Sequence, residues 1–268
     1  MNWNEAVWLY CERGTASGLL AEPLNALSTL GFLLAAGAAL LFYRRLPLAQ
    51  RSADHLVLIA LTMVTGLGAL SFHLYANQAS ELAHMLPFVL LMLVYFQTAL
   101  VRLLALPPGG AAFLGALYLS FTLAGLTMSC PFADAPLQPD WSRGIGGATS
   151  CLNGSAGYLP TLLALAGLAI VLHRRYHKAA SSVWLATALF GGAVLFHALD
   201  HFLCGVFSLF GPALGTHFLW HLLTAAMVFV LLRSLMLHQN KGPVHVPVQE
   251  IIPPYRSRPI YRWRSKKR

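Results

Sequence analysis

Charged side chains are scarce in this chain: 18 Lys/Arg and 9 Asp/Glu make up 10% of 268 residues, where a soluble domain carries about 25%. Together with a hydrophobic content of 57%, that scarcity excludes a disordered protein, a coiled coil and almost any water-soluble enzyme. Cysteine is limited to four residues, and no C-x-x-C spacing suggests a thiolate metal site. A cleavable signal peptide is not expected, because the first twenty residues carry Glu5, Glu12 and Arg13 and lack an unbroken apolar core. Internal repeats of the kind that mark many transporters are missing too. The net charge of +9 would suggest nucleic acid if it were evenly spread, but it is not. From Lys241 onward eight basic residues face one acid, Glu250, so the body is nearly neutral and no nucleic-acid partner is expected.

Long apolar runs are plentiful. A bilayer core about 30 Å thick needs roughly 20 apolar helical residues. Seven such runs lie near 23–43, 55–74, 84–103, 111–129, 157–173, 181–200 and 214–236. The expected fold is an all-α bundle of seven transmembrane helices, with a cap over 1–22, a membrane domain over 23–238 and a basic tail over 239–268. Arg44, Arg45, Arg51, Arg102, Arg174, Arg175, Lys178, Arg233 and the tail fall on one side, and only Arg13 and Arg143 on the other. The positive-inside rule then places the N-terminus outside and the C-terminus in the cytoplasm. The expected location is the plasma (inner) membrane of a bacterium. The tail, with Trp263 and two tyrosines among its basic residues, is suited to an anionic inner leaflet. Cys11, Cys130, Cys151 and Cys204 all map to the outer, oxidising side. Four cysteines allow three pairings. A Cys130–Cys151 bond would close the longest loop, and a Cys11–Cys204 bond would tie the cap to the sixth span.

Ionisable groups inside spans are costly and usually face a partner or a cavity. Of eleven histidines, His55, His173, His177, His238 and His245 map to inner loops or the tail, where solvated surface is expected. The other six, His73, His84, His197, His201, His217 and His221, gather toward the outer ends of four spans. His217 and His221 form H-x-x-x-H, which puts both imidazoles on one helix face. His73 ends the second span at the same depth. Three histidines with an open fourth position form the pattern of catalytic zinc, which lowers the pKa of a bound water to about 7. His197 and His201 read as core or interfacial groups, while Asp200 is placed to orient a ligand imidazole.

Three blocks in this order resemble the alkaline ceramidase family, part of a wider group of seven-helix hydrolases that includes the progestin and adipoQ receptors. The first is Cys11-Glu12-Arg13 followed by Ala21-Glu22-Pro23-Leu24-Asn25-Ala26-Leu27-Ser28. The second is Gly68-Ala69-Leu70-Ser71-Phe72-His73, and the third Gly215-Thr216-His217-Phe218-Leu219-Trp220-His221. Asp200 and Cys204 match an aspartate and a cysteine ahead of the third block. The resemblance spans about residues 10 to 236. It implies zinc on His73, His217 and His221, calcium beside it on Glu12, Glu22 and Asn25, and disulfides Cys11–Cys204 and, by remainder, Cys130–Cys151.

The chain departs from the family at three places. Leu9 stands where calcium-binding members have an aspartate. Ala69 replaces a serine that helps stabilise the oxyanion, and Ser71 could substitute only if the helix unwound. His84 replaces an aspartate that acts on the attacking water. It is a candidate base or a fourth zinc ligand, and Glu81, one turn earlier, is a second candidate base. The expected activity is zinc-dependent hydrolysis of a lipid amide drawn from the bilayer, with ceramide the implied substrate. The rival expectation is a non-enzymatic receptor or scaffold with structural zinc.

Overall fold

A computed structural model describes residues 3–7, 9–128, 152–208 and 213–239. Seven helices in it are long and apolar enough to cross a membrane. The first crossing, Pro23–Arg45, is broken into α1 (Pro23–Ser28) and α2 (Leu30–Arg45). The break falls where Ser28 and Thr29 donate their hydroxyls to the carbonyls of Asn25 and Ala26, and such back-bonding bends helices. Then follow α3 (Ala53–Tyr75), α4 (Gln78–Arg102), α5 (Pro108–Leu126), α6 (Leu159–Arg174), α7 (Ala180–Ala198) and α8 (His217–His238). Two antiparallel strands of two residues each, Phe207–Ser208 and Ala213–Leu214, lie between α7 and α8 in the sequence.

Consecutive helices are neighbours, and α8 closes the ring against α2 while also touching α3. The core runs through Leu58, Leu91, Tyr95, Leu165, Phe190 and Leu231. Helix α8 buries the largest share of its membrane window, 56%, and α5 the smallest, 22%. So α8 is the central post and α5 a peripheral stave. Two glycines set the close approaches near the polar end. A Cβ on Gly68 would lie 2.0 Å from the Ala83 carbonyl oxygen, so α3 and α4 meet only because none is there. A Cβ on Gly215 would lie 2.0 Å from the Asp200 carboxylate and 2.8 Å from Cys11 Cβ.

The apolar runs locate every crossing but miss one start. Helix α4 begins at Gln78, not near 84, because Asn77 and Ser80 form a reciprocal capping box. Its first turns carry polar residues that face the bundle. The N-terminal segment is not a detached cap either. Val7 donates its backbone N–H to Ala76 O, and Gln78 donates its own to Glu5 O. Tyr10 is buried between helix ends. His55, expected as solvated surface, is instead fully buried, with its ring edge toward Tyr43. Cys11 is bonded to Cys204 with their Cα atoms 5.6 Å apart. Cys130 and Cys151 lie outside the described residues, as does the basic tail from Lys241 onward.

Candidate metal centre

His73 sits in the last turn of α3, while His217 and His221 share one face of the first turns of α8. One nitrogen from each lies within 4.8 Å of the others, and all three side chains are fully buried. Among the described residues they are the one such group of three His, Cys, Asp or Glu.

Hydrogen bonding fixes which nitrogens face inward. His73 Nδ1 donates to the Glu22 carboxylate at 2.6 Å. Ser28 Oγ lies 2.7 Å from His221 Nδ1 and also 2.7 Å from the Asn25 carbonyl oxygen. A hydroxyl has one proton, and the carbonyl can only accept it. His221 Nδ1 therefore donates to Ser28, and the Nε2 atoms of both histidines turn toward each other. Those two Nε2 atoms are 3.2 Å apart. A proton on one of them makes that contact a hydrogen bond, and a metal ion between them would take the proton's place. The separation is close to the about 3.3–3.4 Å that tetrahedral geometry gives for nitrogens 2.0–2.1 Å from zinc. Both ring nitrogens of His217 are buried without a hydrogen-bond partner, a costly state that a metal would relieve at one of the two. The donor set and its geometry fit a metal ion, and imidazole ligands suit zinc, copper, iron and nickel alike.

The supporting residues differ from expectation in what they hold. Asp200 does not orient an imidazole. Its carboxylate accepts from the backbone N–H groups of Cys11 (2.9 Å), Thr216 (2.7 Å) and His217 (2.8 Å). It thus holds the positive end of α8 and, through it, the place where His217 starts. Burial pushes its carboxyl up to about 6 against the pull of those three donors. The imidazole-orienting carboxylate is Glu22. It also accepts from Arg13 Nε and from Asn25 Nδ2 (3.0 Å). Arg13 in turn donates to the carbonyl of His73 at 2.7 Å. Burial alone would raise the Glu22 carboxyl, but His73 and Arg13 outweigh it and hold it below its usual range.

The acids matched to calcium are thus already engaged. Both oxygens of Glu22 serve Arg13, Asn25 and His73, and the two oxygens of Glu12 accept from the backbone N–H groups of Leu24 and Asn25 at 2.8 Å each. Arg13, the positive charge among them, also reaches the carbonyls of Ala16 and Gly18.

His84 is buried on α4, stacked on Phe72, with its ring centroid 6.2 Å from those of His73 and His221. It stands beside the three-nitrogen group and is not a member of it. Glu81 is buried one turn earlier. Ser71 is not brought in: α3 is unbroken to Tyr75, so two residues still separate Ser71 from His73 by about 200° around the axis. His197 is a hydrogen-bonded core histidine, 2.8 Å from Ser155 Oγ, with its ring packed edge-on against His217.

Tyr10 carried no signal in the sequence reading, yet its ring stacks on His217 at 3.5 Å and covers one face of the site. Burial first, then Tyr158 and nearby acids, keep its phenol well above the ordinary range and so protonated. Ser28 had a usable signal. Glu22, Asn25 and Ser28 recur every third residue, which places them on one face of a helix. Comparison of the chain with family models, curated proteins and solved structures finds no match.

Proposed function

We propose that this chain is a zinc-dependent intramembrane hydrolase of lipid amides, with an N-acyl sphingoid lipid such as ceramide as substrate. The observation that carries the reading is the convergence of three buried imidazole nitrogens within 4.8 Å, two of them 3.2 Å apart, with the His217 ring lacking a hydrogen-bond partner.

When bound, zinc would supply Lewis acidity to a substrate carbonyl and lower the pKa of a water. The protein does the rest. His73, His217 and His221 hold the ion, while Glu22 and Ser28 lock two of the rings through Nδ1. Asp200 sets the start of α8, and Tyr10 shields His217 from water on one side. His84, with Glu81 one turn away, is assigned the task of taking a proton from the attacking water and passing it to the leaving amine. Arg13 supplies the charge that stabilises Glu22, so the reading needs no calcium. The N-terminus lies outside and the tail lies against the anionic inner leaflet of a plasma membrane, in keeping with the bias of basic residues to one side.

One observation favours a second reading, a receptor or scaffold with structural zinc: none of the three imidazoles is exposed. Incubating the zinc-loaded protein with N-acyl sphingoid lipid in mixed micelles separates the two. Release of free fatty acid, reduced at least tenfold in His84→Ala at unchanged zinc content, is the expected result. No release from any of a panel of lipid amides and esters would establish the second reading.

A further inference from the structure

A cavity of about 710 Å³, lined by none of the histidines, opens between α4, α5 and α6. Its walls include Leu104, Tyr118, Leu163, Gly167 and Val171, and its one charged residue is Arg175. No acidic side chain lines it. Lining residues Leu159 and Arg175 mark out most of the length of α6, about 24 Å at the helical rise per residue. The groove therefore crosses most of a bilayer core about 30 Å thick. Two features keep it open. Helix α5 buries little of itself against its neighbours, and Gly167 leaves its place on the groove wall empty, since a Cβ there would meet nothing within 4 Å.

Arg175 caps the end of α6 at the side where the chain's basic residues gather, next to Arg174 and two and three residues before His177 and Lys178. It is exposed, and one of its five N–H donors goes to the Leu104 carbonyl at 3.0 Å. That bond holds the guanidinium at the mouth of the groove with donors to spare. A long apolar trough with a fixed cation at one end is complementary to a molecule with a long chain and an anionic head.

We propose that this groove is a binding site for an anionic glycerophospholipid of the leaflet at the Arg175 end. One acyl chain lies along Leu163, Gly167 and Val171, and the phosphate is held by Arg175. The site is separate from the metal centre and does not depend on the hydrolase reading. It holds the peripheral helix α5 to the bundle by filling the space between α5 and α6.

The test uses the full-length protein, delipidated in detergent. Native mass spectrometry compares phosphatidylglycerol with phosphatidylcholine of the same acyl chains, at an ionic strength that suppresses attraction to the basic tail. The wild type is expected to retain one phosphatidylglycerol in preference to phosphatidylcholine. Arg175→Gln should weaken that binding about fivefold and remove the preference. Gly167→Trp should abolish the bound lipid by filling the trough, with circular dichroism and metal content unchanged to show that the protein folds. Equal retention of both lipids by the wild type overturns the proposal, as does unchanged binding in Gly167→Trp. Displacement of the lipid one-for-one by neutral N-acyl sphingoid lipid also overturns it, because the groove would then belong to a substrate chain.

Discussion

The two ends of the helix bundle handle their charges in opposite ways. At the end that carries the histidines, Arg13, Glu22 and Asp200 are almost wholly buried, and each is held by several donors or acceptors. At the other end, Asp54 accepts from Arg102 at 2.5 Å, with Gln239 completing the link, but both side chains of the pair remain about a third exposed. The difference teaches what each end is for. Buried charges are kept at high desolvation cost and lose several kcal/mol when one partner goes, whereas exposed pairs contribute about 0–1 kcal/mol. The exposed link only gathers helix ends, while the buried network holds three imidazoles in one orientation.

That contrast can be broken most directly at Arg13. Arg13→Met leaves the Glu22 carboxylate buried without its guanidinium and should cost about 3–5 kcal/mol, read as a lower midpoint in denaturant unfolding. A loss below 1 kcal/mol would place the buried network on the same footing as the exposed pair. Replacing Cys11 and Cys204 together by Ser frees the N-terminal segment from the α7–α8 connection and should lower stability by about 2–5 kcal/mol, measured the same way without reductant. A smaller expected effect sharpens the role of Ser28. Ser28→Ala should weaken zinc binding about 10–100-fold in a chelator competition, while the fold persists. At the other end, Arg102→Gln should change stability by no more than about 1 kcal/mol and leave zinc affinity untouched.

The same contrast explains what could be read from the sequence. The seven crossings were legible because apolar runs of bilayer length have few other uses. The start of α4 was not, since Gln78, Ser80 and Glu81 are polar residues turned inward, and hydropathy counts them as loop. His73, His217 and His221 were legible as a set through shared depth and helical spacing. The assignments of Glu22 and Asp200 were not, because which carboxylate meets an imidazole and which meets a helix end depends on how α1 packs against α3 and α8. Nor could Tyr10 be found, as its role arises from an N-terminal strand-like segment folding over the helix ends. Ser71 shows the reverse case: closeness in sequence to His73 counts for nothing on an unbroken helix.

The central claim is that three buried imidazoles form a zinc site, and elemental analysis of the purified protein tests it most directly. Wild type and the single variants His73→Ala, His217→Ala and His221→Ala are compared after the same preparation. The account predicts one zinc ion per chain in the wild type and a large loss in each variant. Zinc retained at full stoichiometry in all three variants, or no metal in the wild type after zinc loading, would contradict it.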